Sequence, residues 1–170
     1  MKRVVDKLIG MNKTISTMES CTGGFLASSI TDVEGSSEIL KFSAVTYSNE
    51  FKMKMGVSGR IIDKYSVYSM ETAMEMSKNI SLFTNSNYGV GITGKLNRID
   101  INNLYGEDNI VFVSIYDSDN EVYHNFKIKV DKQTRKENKE FVVEYIKQKL
   151  LDILEIKYEK RDFVFTKNNK

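Results

Sequence analysis

At 170 residues the chain fits one ordinary domain, and 41% hydrophobic with 28% charged residues excludes a globally disordered chain. A formal net charge of +2 is far from the basicity of a polyanion-binding domain, so nucleic acid is not an expected partner. The single cysteine, Cys21, excludes an intrachain disulfide and fits a reducing compartment.

Val4, Val5, Leu8 and Ile9 recur at helical spacing, so residues 2–11 read as a short amphipathic helix. The charges at Lys2, Arg3, Asp6 and Lys7 leave no apolar core for a signal peptide. No apolar run approaches the ~20 residues that span a bilayer. These features predict a soluble, cytoplasmic protein with no membrane partner. Residues 13–18 alternate as a strand, and Glu19-Ser20-Cys21-Thr22-Gly23-Gly24 leads from it into a helix over 25–30. A second strand is predicted over 42–48. Asn49 is placed to cap a short helix through Met55, stopped by Gly56.

Another short helix is predicted over 58–64. Ser69 opens a longer one, with Met70, Ala73, Met74, Ser77 and Ile80 along one face. Residues 88–93 read as a strand ending at Gly94, and 95–109 are polar and irregular. Strands over 110–116 and 122–130 are joined by Asp117-Ser118-Asp119-Asn120, a good hairpin turn. A helix follows over 133–156, burying Phe141, Val142, Tyr145, Ile146, Leu150, Ile153 and Leu154.

Helices and strands alternate first and a hairpin follows. That order predicts a single-domain, three-layer α/β/α sandwich with a mixed sheet, a C-terminal hairpin and a long C-terminal helix. The domain is expected over residues 1–156. Residues 157–170, with five positive side chains against two negative, are expected to form a basic, partly disordered tail.

Ser20 follows a strand and precedes a helix whose entry contains Gly23 and Gly24. That position is the carboxyl edge of the sheet, where open α/β folds bind ligands. Unpaired N–H groups at a helix start suit a phosphate or an oxyanion. The same spacing fits a plain helix N-cap. A nucleophilic serine needs a base, and the only histidine, His124, lies in the hairpin and reads as a surface or packing residue. A lysine with a lowered pKa is the alternative, and spacing does not choose among the lysines. Tyr47 and Lys52 also flank a strand end, so both face the Ser20 loop if their strands are neighbours. Otherwise they are a buried tyrosine and a solvated lysine. Cys21, a neighbour of Ser20, reads as a small buried residue. No Cys/His cluster suggests zinc, and no phosphate-binding glycine fingerprint is present, so neither metal nor cofactor is expected.

Thr17-Met18-Glu19-Ser20-Cys21-Thr22-Gly23-Gly24 resembles the T-x-E-S-C-T-G-G signature of the CinA C-terminal domain family. The resemblance continues through Ile30 to Ser37, Val45 to Lys52, Met55-Gly56-Val57 and Gly91-Ile92-Thr93-Gly94, in the family's order and spacing. Tyr65 to Ser69 stands where the family has a hydrophobic segment. The resemblance implies an amidase that converts nicotinamide mononucleotide to nicotinic acid mononucleotide and ammonia. It implies Ser20 as nucleophile with Tyr47 and Lys52 as its partners. It places Glu19, Thr22, Gly23, Gly24, Thr93 and Gly94 around a nucleotide substrate, to which this sequence adds Lys95 and Arg98 as candidates, and it suggests a homodimer.

One departure stands out. After Gly94 the family carries a Gly/Pro-rich loop, I-A-G-P-x-G-G, whereas here residues 95–109 have no proline and only Gly106. Lys95 and Arg98 are either substitutes for the lost backbone N–H groups or solvated loop charges. Two alternatives therefore stand beside the nucleotide amidase: a catalytically silent nucleotide-binding or regulatory protein, and an amidase for another carboxamide.

Overall fold

The computed structural model describes residues 1–101 and 104–167, with side chains through Ile156. The elements are α1 (Lys2–Gly10), β1 (Ile15–Glu19), α2 (Phe25–Thr31), a 3-10 turn (Ser36–Glu38), β2 (Leu40–Val45), α3 (Asn49–Lys54), α4 (Gly59–Tyr65), α5 (Met70–Thr84), β3 (Tyr88–Gly94), β4 (Ile110–Asp117), β5 (Val122–Lys129) and α6 (Arg135–Lys167). The sheet order is β2-β1-β3-β4-β5. β1 is parallel to both β2 and β3, β4 is antiparallel to β3, and β5 is antiparallel to β4. The predicted mixed sheet with a terminal hairpin is the observed one.

Side-chain alternation along β1 and β3 separates the two faces. Ile15, Tyr88, Val90 and Ile92 join the larger core, which is closed by Val5 and Leu8 of α1, Leu26 and Ile30 of α2 and Val142 to Leu154 of α6. Met18 points the other way, into a smaller core with Val57, Met76 and Ile80 under α5. The layers are therefore α1, α2 and α6 on one side and α3 to α5 on the other.

Helix α5 lies on β3 with almost no side chain between them. A Cβ on Gly89 would fall 1.9 Å from the Ser77 carbonyl oxygen, and one on Gly91 would fall 2.2 Å from that of Ala73. Only glycine permits that separation. Ser77 Oγ bonds Ser114 Oγ at 3.0 Å across the interface, which satisfies two hydroxyls buried there.

Two boundaries differ from expectation for physical reasons. The cap of α3 is Ser48, not Asn49: Ser48 has extended backbone and its Oγ accepts the Phe51 N–H at 3.2 Å. The α6 backbone continues to Lys167, past the expected end at 156. The predicted partly disordered tail thus falls on a segment whose side chains are not described, and 168–170 lie outside the described residues. No helix among the described residues is long and apolar enough to cross a membrane.

The loop after β1 leads toward β2, and the loop after β3 leads toward β4, in opposite directions across the sheet. Their divergence leaves a crevice at the carboxyl ends of β1 and β3, the usual ligand position in open α/β sheets. Ser20 and Gly94 sit at those two ends.

Candidate active site

The Ser20 loop is set by the carboxylate of Glu19, which is fully buried at the end of β1. One oxygen accepts from Thr22 Oγ1 at 2.7 Å and from the Leu26 N–H at 3.1 Å, and the other from the Ala27 N–H at 2.9 Å. Glu19 thus satisfies donors of the first turn of α2 from the preceding strand, where a negative charge also meets the positive end of the helix. Gly23 and Gly24 turn the chain between them with φ of 63° and 91°, in the left-handed region. The Gly23 N–H bonds the Ser20 carbonyl at 3.0 Å, and the Ser20 N–H bonds the Ile92 carbonyl at 3.0 Å. Ser20 is therefore not the cap of α2; the capping acceptor is Glu19.

Lys52, from α3, is 1% exposed and its Nζ reaches Ser20 Oγ at 3.2 Å. It also donates to the Thr46 carbonyl at 2.7 Å. Burial pushes the Lys52 ammonium down to about 8, because the charged form is desolvated without a carboxylate to repay it. Such an amine is partly neutral near neutral pH and can accept a proton from a hydroxyl it touches. Burial pushes the Cys21 thiol up to about 12, so it is protonated and inert.

Ser20 and Lys52 open onto a cavity of about 550 Å³ lined also by Tyr47, Tyr68, Gly94 and Arg98 among others. Tyr47 is 66% exposed, and its hydroxyl accepts from Arg135 Nη2 at 3.0 Å. Of the other residues picked from sequence, Lys95 lines the cavity but is buried, with Nζ on Asp108 Oδ1 at 2.8 Å. Arg98 lines it with an exposed side chain. Thr93 is buried, and its Oγ1 donates to the Val67 carbonyl at 2.8 Å. Glu19, Thr22, Gly23, Gly24 and Thr93 do not line the cavity.

Arg135, Tyr68 and Asp100 are among the lining residues that the sequence reading did not pick. Arg135 opens α6, far along the chain from Ser20, and Tyr68 and Asp100 meet through a hydrogen bond donated by the Tyr68 hydroxyl. Burial first, and the Asp100 carboxylate second, push the Tyr68 phenol well above its ordinary value, so it remains a donor. No local spacing links residues 68, 100 and 135; only the tertiary fold does.

Comparison with known proteins agrees with this architecture. A CinA-like protein of Desulforapulum autotrophicum is 44% identical over 96 residues, which is 55% of this chain and 23% of that protein. A CinA-like protein of Fervidobacterium nodosum is 40% identical over 92 residues, 54% of this chain and 22% of that protein. The match thus spans less than a quarter of the length of these curated relatives. Among solved structures, the competence/damage inducible protein CihA of Agrobacterium tumefaciens superposes with a TM-score of 0.79 at 24% identity, covering 90% of this chain and 92% of that one. A CinA superfamily protein of Escherichia coli gives 0.80 at 23% identity over 89% of this chain and 87% of that one. At these identities the superpositions show the fold alone. The family model described as CinA C-terminal domain matches residues 1–154, nearly the whole of the fold built above. With its T-x-E-S-C-T-G-G loop at the carboxyl end of β1, this chain belongs to the CinA C-terminal domain family.

Proposed function

We propose that the protein is a serine amidase acting on a pyridine nucleotide, releasing ammonia from nicotinamide mononucleotide to leave nicotinic acid mononucleotide. The observation that carries the reading is the buried Lys52 amine 3.2 Å from Ser20 Oγ at a cavity of nucleotide size.

Neutral Lys52 takes the Ser20 proton as Oγ attacks the carboxamide carbon. The oxyanion forms at the start of the turn, beside Ser20 and Cys21, the residues of this segment that line the cavity. Collapse breaks the C–N bond, and Lys52 returns its proton to the departing nitrogen, which leaves as ammonia. Water, deprotonated by the same amine, then cleaves the ester and restores the Ser20 hydroxyl. Tyr47 and Arg135 hold the mouth of the cavity, and the guanidinium supplies positive charge for the substrate phosphate.

The test is ammonia release from nicotinamide mononucleotide by purified protein, compared with Ser20→Ala. Turnover that is no greater than that of the variant removes the proposal.

A second reading, nucleotide binding without turnover, draws on the 95–109 loop. The Lys95 ammonium is committed to Asp108, so it does not replace the N–H groups of a glycine-rich loop. Calorimetry with a panel of nucleotides, alongside the ammonia assay, separates the two readings.

A further inference from the structure

Ser20 and Thr46 are the first residues past the ends of two paired parallel strands, β1 and β2, and the Thr46 N–H bonds the Glu19 carbonyl at 2.8 Å. Thr46 is therefore fixed beside the serine loop. Its own carbonyl accepts from Lys52 Nζ at 2.7 Å, the shorter of that amine's two hydrogen bonds. Its side chain is less settled. Thr46 is buried, and its Oγ1 has no hydrogen-bond partner among the described residues. Buried hydroxyls are nearly always bonded, because a bare one costs stability that a valine of the same shape would recover. Thr46 does not line the cavity, so a substrate does not supply the partner. Lys52, held by the same residue's carbonyl, has bonding capacity to spare. An ammonium carries three N–H groups, and Ser20 Oγ and the Thr46 carbonyl account for two of them.

We propose that Thr46 is a positioning residue for Lys52: its carbonyl aims the amine at Ser20, and its hydroxyl turns to accept the remaining N–H once Lys52 has taken the Ser20 proton. The assignment rests on the amidase reading and deepens it. The proton passes from Ser20 Oγ to Lys52 Nζ as the bond from Oγ to the carboxamide carbon forms; Thr46 gains and loses none. That step creates a cation where burial already disfavours charge, and a buried charge needs its hydrogen bonds made. A charged donor bonds roughly twice as strongly as a neutral one, so the hydroxyl contributes most after the transfer. A change of staggered well about the Thr46 side-chain torsion makes the bond.

The experiment compares the wild type with Thr46→Val, which keeps the shape and removes the hydroxyl, and with Thr46→Ser, which keeps the hydroxyl. Lys52 is titrated by NMR of the side-chain carbon next to the amine in protein containing isotope-labelled lysine, its signal assigned by loss in Lys52→Met. The expected result is a midpoint lowered by about half a unit or more in Thr46→Val and restored in Thr46→Ser. In ammonia release from nicotinamide mononucleotide, kcat should fall roughly fivefold in Thr46→Val with KM unchanged, and the rising limb of the pH profile should move down with the Lys52 midpoint. A midpoint that stays put in Thr46→Val overturns the assignment. So does an equal shift in both variants, which assigns the effect to packing, and so does a loss through KM, which assigns Thr46 to substrate binding.

Urea titrations above the Lys52 midpoint, where the amine is neutral, should find Thr46→Val at least as stable as the wild type. A lower urea midpoint shows a hydroxyl already bonded in the resting fold and overturns the assignment as well. If the wild type releases no ammonia, the amidase reading fails, and the NMR titration still decides the pairing: Thr46 and Lys52 are linked if the midpoint falls in Thr46→Val alone, and not otherwise.

Discussion

Ser20 and Lys52 divide one task between a hydroxyl and an amine, and neither is useful alone. Ser20→Ala and Lys52→Ala should each lower kcat for ammonia release by about a thousandfold or more, roughly 4 kcal/mol, and the double variant should lose little further, because the groups act as a unit. Steady-state ammonia assays check this. The reactive form of Lys52 is neutral, and burial sets its pKa to about 8. Activity should therefore climb with pH and level off above that value. Stability moves the same way. Between about 8 and the ordinary 10.5 the unfolded chain holds a proton that the folded chain has released, so stability should rise with pH through that window. Lys52→Met should abolish activity and flatten that rise in urea titrations at several pH values. Cys21, with its thiol up at about 12, should resist iodoacetamide in the folded protein and react once denatured.

At the scale of elements, the site depends on how β1, α2 and α5 are fastened. Glu19 holds Thr22 Oγ1 and two N–H groups of α2. Glu19→Ala leaves those buried donors without an acceptor and should cost about 3 kcal/mol, read as a lower urea midpoint; Glu19→Gln keeps an acceptor and should cost less. The β3–α5 contact is equally exacting. A methyl at Gly91 meets Ala73 O at 2.2 Å and the Ser77 nitrogen at 2.6 Å, backbone atoms that cannot rotate away. Gly91→Ala should destabilise by about 3 kcal/mol or more, with thermal melts showing a fall in Tm.

The whole molecule is held by one large core. Residues from α1 near the N-terminus pack with α6 near the other end, and β3 and β4 lie between. Closure therefore needs both ends of the chain, and partial structures bury little. Unfolding should be a single transition, with tyrosine fluorescence and far-UV circular dichroism giving coincident curves. Leu150, fully buried where α6 crosses that core, is a good probe: Leu150→Ala should cost about 2–5 kcal/mol without altering the slope of the denaturant curve.

Local chemistry carried much of this into the sequence. Apolar periodicity exposed the α6 face from Val142 to Leu154 but wrongly added Phe141, which is exposed; alternation exposed β4 and β5, and Gly23-Gly24 after Ser20 marked a strand-to-helix turn, because each pattern spans only a few neighbouring residues. Caps were less legible: Ser48 and Asn49 both suit a cap, and only backbone geometry chose Ser48. Other choices were made by packing between segments distant in the chain. The amine that touches Ser20 was one lysine among many until α3 folded over β1, and the burial that lowers its pKa belongs to no local segment. Glu19 became a helix anchor, and Thr93 a buried donor, for the same reason. Tyr68, Asp100 and Arg135 became neighbours of Ser20 only when a loop, a helix entry and a helix start converged on one sheet edge. Sequence determines what each residue can do; the tertiary fold decides which partners it meets and how much water remains between them.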